Sequence, residues 1–197
     1  MDIIKLLGSW NINIPNNMGY LEYLCDNQSK NIYYIDKFPI KVSSENAYKF
    51  DQMDIFYQEV ILCKALKRNF IKIETKYTNV MNKLWLYNKI FVQFMLPDKY
   101  FRKPETVINK EYKKFLPLLK DNSKYGKMVE IEQKKILEFW TQLSTRDVIG
   151  TVFYLEDYKA IIVPSWSYFI MYLHDIKYYQ IIKDIVISEG LFLRHQL

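Results

Sequence analysis

The sequence predicts an α+β fold: antiparallel β-meanders near both ends, a long helix after the first, two central helices and a C-terminal helix. Three observations carry this reading. Apolar and polar residues alternate with period two near the N-terminus, and β-branched and aromatic runs fill Val148 to Leu173. Between them, Ile55, Phe56, Ile61, Leu62 and Leu66 form a broad apolar stripe at helical spacing. Pro, Gly, Asn and Asp clusters punctuate the chain at strand and hairpin lengths. The chain has 197 residues, half of them hydrophobic, which is enough for a sizeable core. No flexible linker divides it, so residues 1–197 read as one compact domain with two intimate halves, 1–103 and 104–197.

Trp10 to Ile14 alternates as Trp-Asn-Ile-Asn-Ile and ends at Pro15, the pattern of a strand with one buried face. Tyr20 to Cys25 and Asn31 to Lys37 read as the second and third strands, joined by Asp26-Asn27-Gln28-Ser29. Ser43 or Ser44, or later Asp51, caps a long helix running to about Arg68. Cys63 lies beside Leu62 and Leu66 and reads as a small core hydrophobe. Lys64, Lys67 and Arg68 then fall at the helix C-terminus, where cations favour the macrodipole. Phe70 to Lys76 and Leu84 to Leu96 read as strands, the second ended by Pro97.

Pro104 suits the first turn of a helix. Ile108, Tyr112, Phe115, Leu116 and Leu119 share one face there, and Lys110, Lys113 and Lys114 fall away from it. Pro117 kinks or ends that helix. A second helix is expected from Lys127 to Leu143, with Ile136, Phe139, Trp140 and Leu143 inward and a Glu130–Lys134 pair on its surface. Val148 to Leu155, Tyr158 to Val163 and Ser167 to Leu173 form an expected three-strand meander. The last of these is bulky on both faces, which suits a strand buried on both sides. Asp175 caps a final helix in which Ile176, Tyr179, Ile182 and Val186 fit helical spacing, Gly190 stops it, and Leu191 to Leu197 is a tail or edge strand.

The charge is asymmetric. The chain carries 28 Lys or Arg and 22 Asp or Glu, a formal net charge of +6. Lys64 to Lys127 alone holds sixteen basic and five acidic residues, so the remainder is net acidic. Tyr77, Trp85, Tyr87, Phe91, Phe94, Tyr100, Phe101, Tyr112 and Phe115 are interleaved with those cations. Such a block has three readings: a solvated surface, a polyanion site, or a docking face for an acidic protein.

Catalytic patterns are weak. Glu74-Thr75-Lys76 on a strand would imitate half of a metal-dependent nuclease site, but the required upstream carboxylate strand is missing. His174-Asp175 could orient an imidazole, but Asp175 as a helix cap with His174 ending a strand is the favoured reading of the pair. Cys25 and Cys63 lack the signature of a nucleophile or a zinc site, and are expected as reduced thiols. Five glycines leave little for a phosphate cradle. No run of about 18 apolar residues predicts a membrane span, and no signal peptide is visible. The expectation is a cytoplasmic, non-catalytic protein without cofactor or metal. It occupies a partner, as an inhibitor or immunity protein does, through Lys99, Tyr100, Phe101, Arg102, Lys103, Lys110, Lys113 and Lys114. The favoured partner is an acidic protein, the alternative is DNA or RNA, and an enzyme of unknown type is the third reading.

Overall fold

The computed structural model describes residues 3–14, 19–42, 64–95, 104–120, 127–165 and 168–195. Within them run helices α1 (Ile3–Ser9) and α2 (Tyr20–Asn27), strand β1 (Ile32–Asp36), helix α3 (Lys64–Trp85) and strand β2 (Ile90–Met95). After these come α4 (Pro104–Val107), a 3₁₀ segment (Lys110–Lys120), β3 (Val129–Glu130) and α5 (Lys134–Thr145). Strands β4 (Gly150–Leu155), β5 (Ala160–Pro164) and β6 (Phe169–Leu173), helix α6 (Tyr179–Ser188) and strand β7 (Phe192–His195) complete the order. The architecture is α+β, built on one seven-stranded antiparallel sheet ordered β3-β2-β4-β5-β6-β1-β7. Strands from residues 1–103 pair with strands from residues 104–197: β1 sits between β6 and β7, and β2 sits between β3 and β4.

Period-two alternation sends successive side chains to opposite faces, and both faces are covered. One face carries Tyr33, Ile35, Val92, Phe94, Phe153, Leu155, Ile162, Phe169 and Met171, under α3, α5, α6 and the 3₁₀ segment. The other carries Ile32, Phe91, Val152, Tyr154, Ile161 and Tyr172, under Leu6, Leu7, Trp10 and Leu24 of the N-terminal region. The expected bulky strand therefore is β6, with Phe169 and Met171 in one core and Ile170 and Tyr172 in the other.

Several elements differ from the sequence expectation. Trp10 to Ile14 is no strand: Trp10 and Ile12 are buried, but Asn11 takes a left-handed backbone (φ 62°), so the alternation belongs to a turn leaving α1. Tyr20 to Cys25 is helical, with Leu24 as its buried residue. Phe70 to Lys76 is not a strand but the middle of α3, which runs 22 residues. Leu84 closes that helix, so the expected strand at Leu84 to Leu96 begins only at Ile90. The expected helix start at Ser43, Ser44 or Asp51, the stripe from Ile55 to Leu62, and Cys63 lie outside the described residues. The helix expected after Pro104 is one turn of α-helix and then 3₁₀, with Pro117 inside it. Its faces are as expected: Ile108, Tyr112 and Leu119 are buried while Lys110, Lys113 and Lys114 are exposed. The helix expected from Lys127 begins at Lys134, after β3. Glu130 pairs with Lys89 (3.2 Å) and Lys134 with Glu138 (3.7 Å), not with each other.

The C-terminal expectations hold. The Asp175 carboxylate accepts from the Lys177 amide (3.2 Å), opening a short 3₁₀ turn that leads into α6, and this turn leaves Ile176 exposed. Gly190 stops α6 with φ +69°, its amide donating to Ile187 O (2.8 Å) and the Leu191 amide to Val186 O (3.2 Å). That is the Schellman arrangement with glycine at C′. A Cβ at Gly190 would lie 3.1 Å from the Lys76 ammonium, which itself donates to Gly190 O (3.1 Å). Gly190→Ala should lower unfolding stability by about 1–2 kcal/mol, the cost of a left-handed backbone for a residue bearing Cβ. Urea denaturation checks this, and an unchanged midpoint would refute it.

Candidate functional site

The basic block separates into two populations. Lys76, Lys83 and Lys89 are taken up by the fold. Lys83 pairs with Glu189 (2.5 Å) and donates to Ser188 Oγ (2.7 Å), Lys76 reaches the Gly190 carbonyl, and Lys89 pairs with Glu130. The first two tie α3 to the C-terminal end of α6, where cations also suit the helix dipole. The second population is exposed: Lys127 just before β3, and seven on the helical elements, Lys64, Lys67, Arg68 and Lys72 on α3 and Lys110, Lys113 and Lys114 on the 3₁₀ segment. These seven form no ion pair among the described residues. Lys114 instead lies over the Phe115 ring (5.0 Å). Lys64, Arg68 and Lys72 are spaced four apart, so they follow one face of α3 at a rise of about 6 Å each. Because α3 continues to Trp85, Lys64, Lys67 and Arg68 do not sit at a helix C-terminus, and the dipole role expected for them does not apply.

Of the predicted site, Lys99, Tyr100, Phe101, Arg102 and Lys103 lie outside the described residues. The interleaved aromatics are mostly core. Tyr77 stacks on Phe169 (4.6 Å), Phe94 stacks on Trp140 (4.5 Å), and Phe91 is buried on the opposite sheet face. The Trp85 indole donates to Ile131 O (3.0 Å), and the Tyr112 hydroxyl donates to Glu138 (2.9 Å). Among the described residues of that set Tyr87 is the exposed one, 59% accessible, in the turn that follows α3.

Glu74 ties α3 to the C-terminal end of α5. Its carboxylate takes two bonds from Arg146, Nε to Oε1 (2.7 Å) and an η nitrogen to Oε2 (2.6 Å), plus one from Thr145 Oγ1 (3.0 Å). The guanidinium also donates to Val107 O and Asn109 Oδ1, at the corner between α4 and the 3₁₀ segment. Both partners are almost wholly buried, at 1% and 5% accessible. Glu74 is therefore a helix residue held by an arginine, not the strand carboxylate of a metal site. Among the described residues no cluster of three His, Cys, Asp or Glu is placed to hold a metal.

His174 accepts or donates at Nδ1 with the Tyr172 hydroxyl (3.2 Å), while Asp175 turns away to Lys177 (2.9 Å), so the two do not form a dyad. Burial pushes the His174 imidazole below its ordinary value; Lys159 adds to the shift and Asp175 opposes it. Cys25 is an exposed free thiol whose pKa is raised by burial of the sulfur and by Asp26, which disfavours the reactive thiolate.

No family model, curated protein or solved structure matches this chain. Among the described residues, no helix is long and apolar enough to cross a membrane.

Two outcomes follow from these groups. Arg146→Ala leaves a buried carboxylate unpaired and should cost about 3–5 kcal/mol in urea unfolding, whereas Glu74→Met with Arg146→Met should recover most of that loss. A double variant as unstable as the single one would show that the pair itself, not the stranded charge, matters. For His174 the folded pKa is depressed, so the unfolded chain binds the proton first. Its contribution is fully favourable above the ordinary histidine value of about 6.5 and is lost as pH falls from there through the lower folded value. His174→Asn should flatten the acid limb of a stability–pH profile below about pH 6.5, and an unaltered limb would refute the assignment.

Proposed function

We propose that this protein is a non-catalytic binding protein that occupies an acidic partner protein through a basic face, as an inhibitor or immunity factor does. The carrying observation is the exposed, unneutralised set Lys64, Lys67, Arg68, Lys72, Lys110, Lys113 and Lys114, all in the helical layer on one side of the sheet. Cations matched to carboxylates contribute little external field, whereas these seven keep theirs. They steer a negatively charged protein and fix its orientation. In this reading Lys99, Arg102 and Lys103 add to the steering charge, and Tyr100 and Phe101 are the aromatic anchors.

The alternative, binding of DNA or RNA, uses the same cations. Recognition of single strands without sequence preference rests on aromatic platforms for bases. Here Tyr77, Phe91, Phe94 and Tyr112 are buried, which favours the protein partner.

The test uses tagged wild-type protein and Lys110→Glu/Lys113→Glu/Lys114→Glu as baits in extract of the source cells. The wild type should retain one defined acidic protein. The triple variant should associate with it about tenfold or more slowly, with a shallower dependence on salt. A mixed-sequence oligonucleotide should show no gel shift at moderate salt. A wild type that shifts the oligonucleotide and captures no protein would transfer the face to the nucleic-acid reading.

A further inference from the structure

We propose that β7 is a homodimerisation edge. Two chains join Phe192–His195 side by side, antiparallel, about a twofold axis normal to the sheet, so that two seven-stranded sheets become one. This does not rest on the reading of the basic face.

Strand β7 pairs with β1 on one side and stands last in the sheet order, so its outer backbone groups face no other strand among the described residues. An open edge accepts an extended strand through those groups. Edges that stay single are blunted by shortness, Pro, Lys or a bulge. The opposite edge is blunted: β3 has two residues and carries the Lys89–Glu130 pair. Strand β7 has four residues, Phe-Leu-Arg-His, without Pro or Lys, and its Phe192 is 39% exposed.

This asymmetry selects the occupant. Strand β7 against β3 of another copy would build an open filament on two residues of ladder. Strand β7 against β7 closes on itself. Directly opposed residues in an antiparallel pair share a face, so a twofold normal to the sheet must pair one residue with itself. Pairing Arg194 with itself opposes like charges. Pairing Phe192 with itself carries the ladder into Gly190, whose φ of +69° is not extended. Pairing Leu193 with itself sets Phe192 opposite the second copy's Arg194, and does so twice, a favourable aromatic–cation match.

The edge is already rigid. Arg194 donates twice to Asp36 Oδ2 (3.1 and 2.6 Å) and lies 4.7 Å over the Tyr34 ring. The His195 ring packs 4.4 Å from that of Tyr33. Little side-chain entropy is left to lose on pairing.

Sedimentation velocity of the full chain over about 1–100 µM should show a species of twice the chain mass, for a dissociation constant in the micromolar range. Phe192→Lys places a cation opposite Arg194 and should weaken the dimer about tenfold or more without altering the far-UV circular dichroism. Leu86→Lys, at an exposed apolar residue in the turn between α3 and β2, should leave it intact. A wild type that is monomeric throughout, or a dimer dissolved by Leu86→Lys and untouched by Phe192→Lys, overturns the proposal. If Phe192→Lys fails to fold, hydrogen exchange of the wild type decides. Amide protection in β7 should rise with protein concentration, and constant protection overturns the assignment.

Discussion

A carboxylate and a guanidinium, both sealed from water, decide how the helical layer is assembled. Stripping two charges of their hydration costs several kcal/mol each, and only close bidentate contact with further hydrogen bonds offsets this. Glu74 and Arg146 meet both conditions, and the conditions are demanding in space. Helix α3 must present Glu74 inward, α5 must end where Arg146 reaches it, and the corner at Val107 and Asn109 must lie within reach of the same guanidinium. Arg146 occupies the C-cap of α5, beside the negative end of that helix. Asp147 follows with φ 54°, its amide donating to Ser144 O and the Val148 amide to Leu143 O, so the helix end is closed by the same Schellman pattern that ends α6. The cap fixes the arginine, and the arginine ties Glu74 of α3 and the corner at Val107 and Asn109 to the end of α5.

The same residue explains the largest misreading of the sequence. Phe70, Ile73, Tyr77, Val80, Met81 and Leu84 follow a helical period and face the core. A Glu stands among these inward positions, at 74. Read locally, Phe-Ile-Lys-Ile-Glu-Thr-Lys alternates like a strand, because Glu74 looks like a solvent-facing residue. Its partner is 72 positions away, and no local window contains it. The N-terminal strands failed for a related reason. Trp10 and Ile12 do bury while Asn11 and Asn13 do not, yet a left-handed turn produces that alternation as readily as a ladder does. The C-terminal meander was legible because its signals are local: β-branched runs, Asp175 as a cap and Gly190 as a stop.

The exposure of the basic residues was legible in part. Lys110, Lys113 and Lys114 stand exposed because Ile108, Tyr112 and Leu119 claim the other side of the segment, and that contrast is visible in sequence whether the backbone is α or 3₁₀. Lys64, Lys67, Arg68 and Lys72 were misplaced along with the end of their helix. A charge count could not separate them from Lys76, Lys83 and Lys89, whose partners Gly190, Glu189 and Glu130 lie far along the chain. Aromatic content misled in the opposite direction. A sheet with cores on both faces needs large side chains at nearly every strand position, so the interleaved rings serve packing before they serve recognition.

Among the described residues both faces of the sheet are covered, while the outer edge of β7 faces no other strand and the cations of the helical layer stay exposed. Their geometries are compatible. A twofold normal to the sheet keeps each face on its own side, so pairing at β7 puts the α3 and 3₁₀ cations of both copies on the same side of the joined sheet. A twofold within the sheet plane would make the strands parallel and send the second set to the opposite side. Two basic faces pointing one way would meet a divalent or repeated acidic ligand with a higher effective concentration than either alone. The antiparallel edge, if it pairs, therefore makes the charge of the helical layer bivalent.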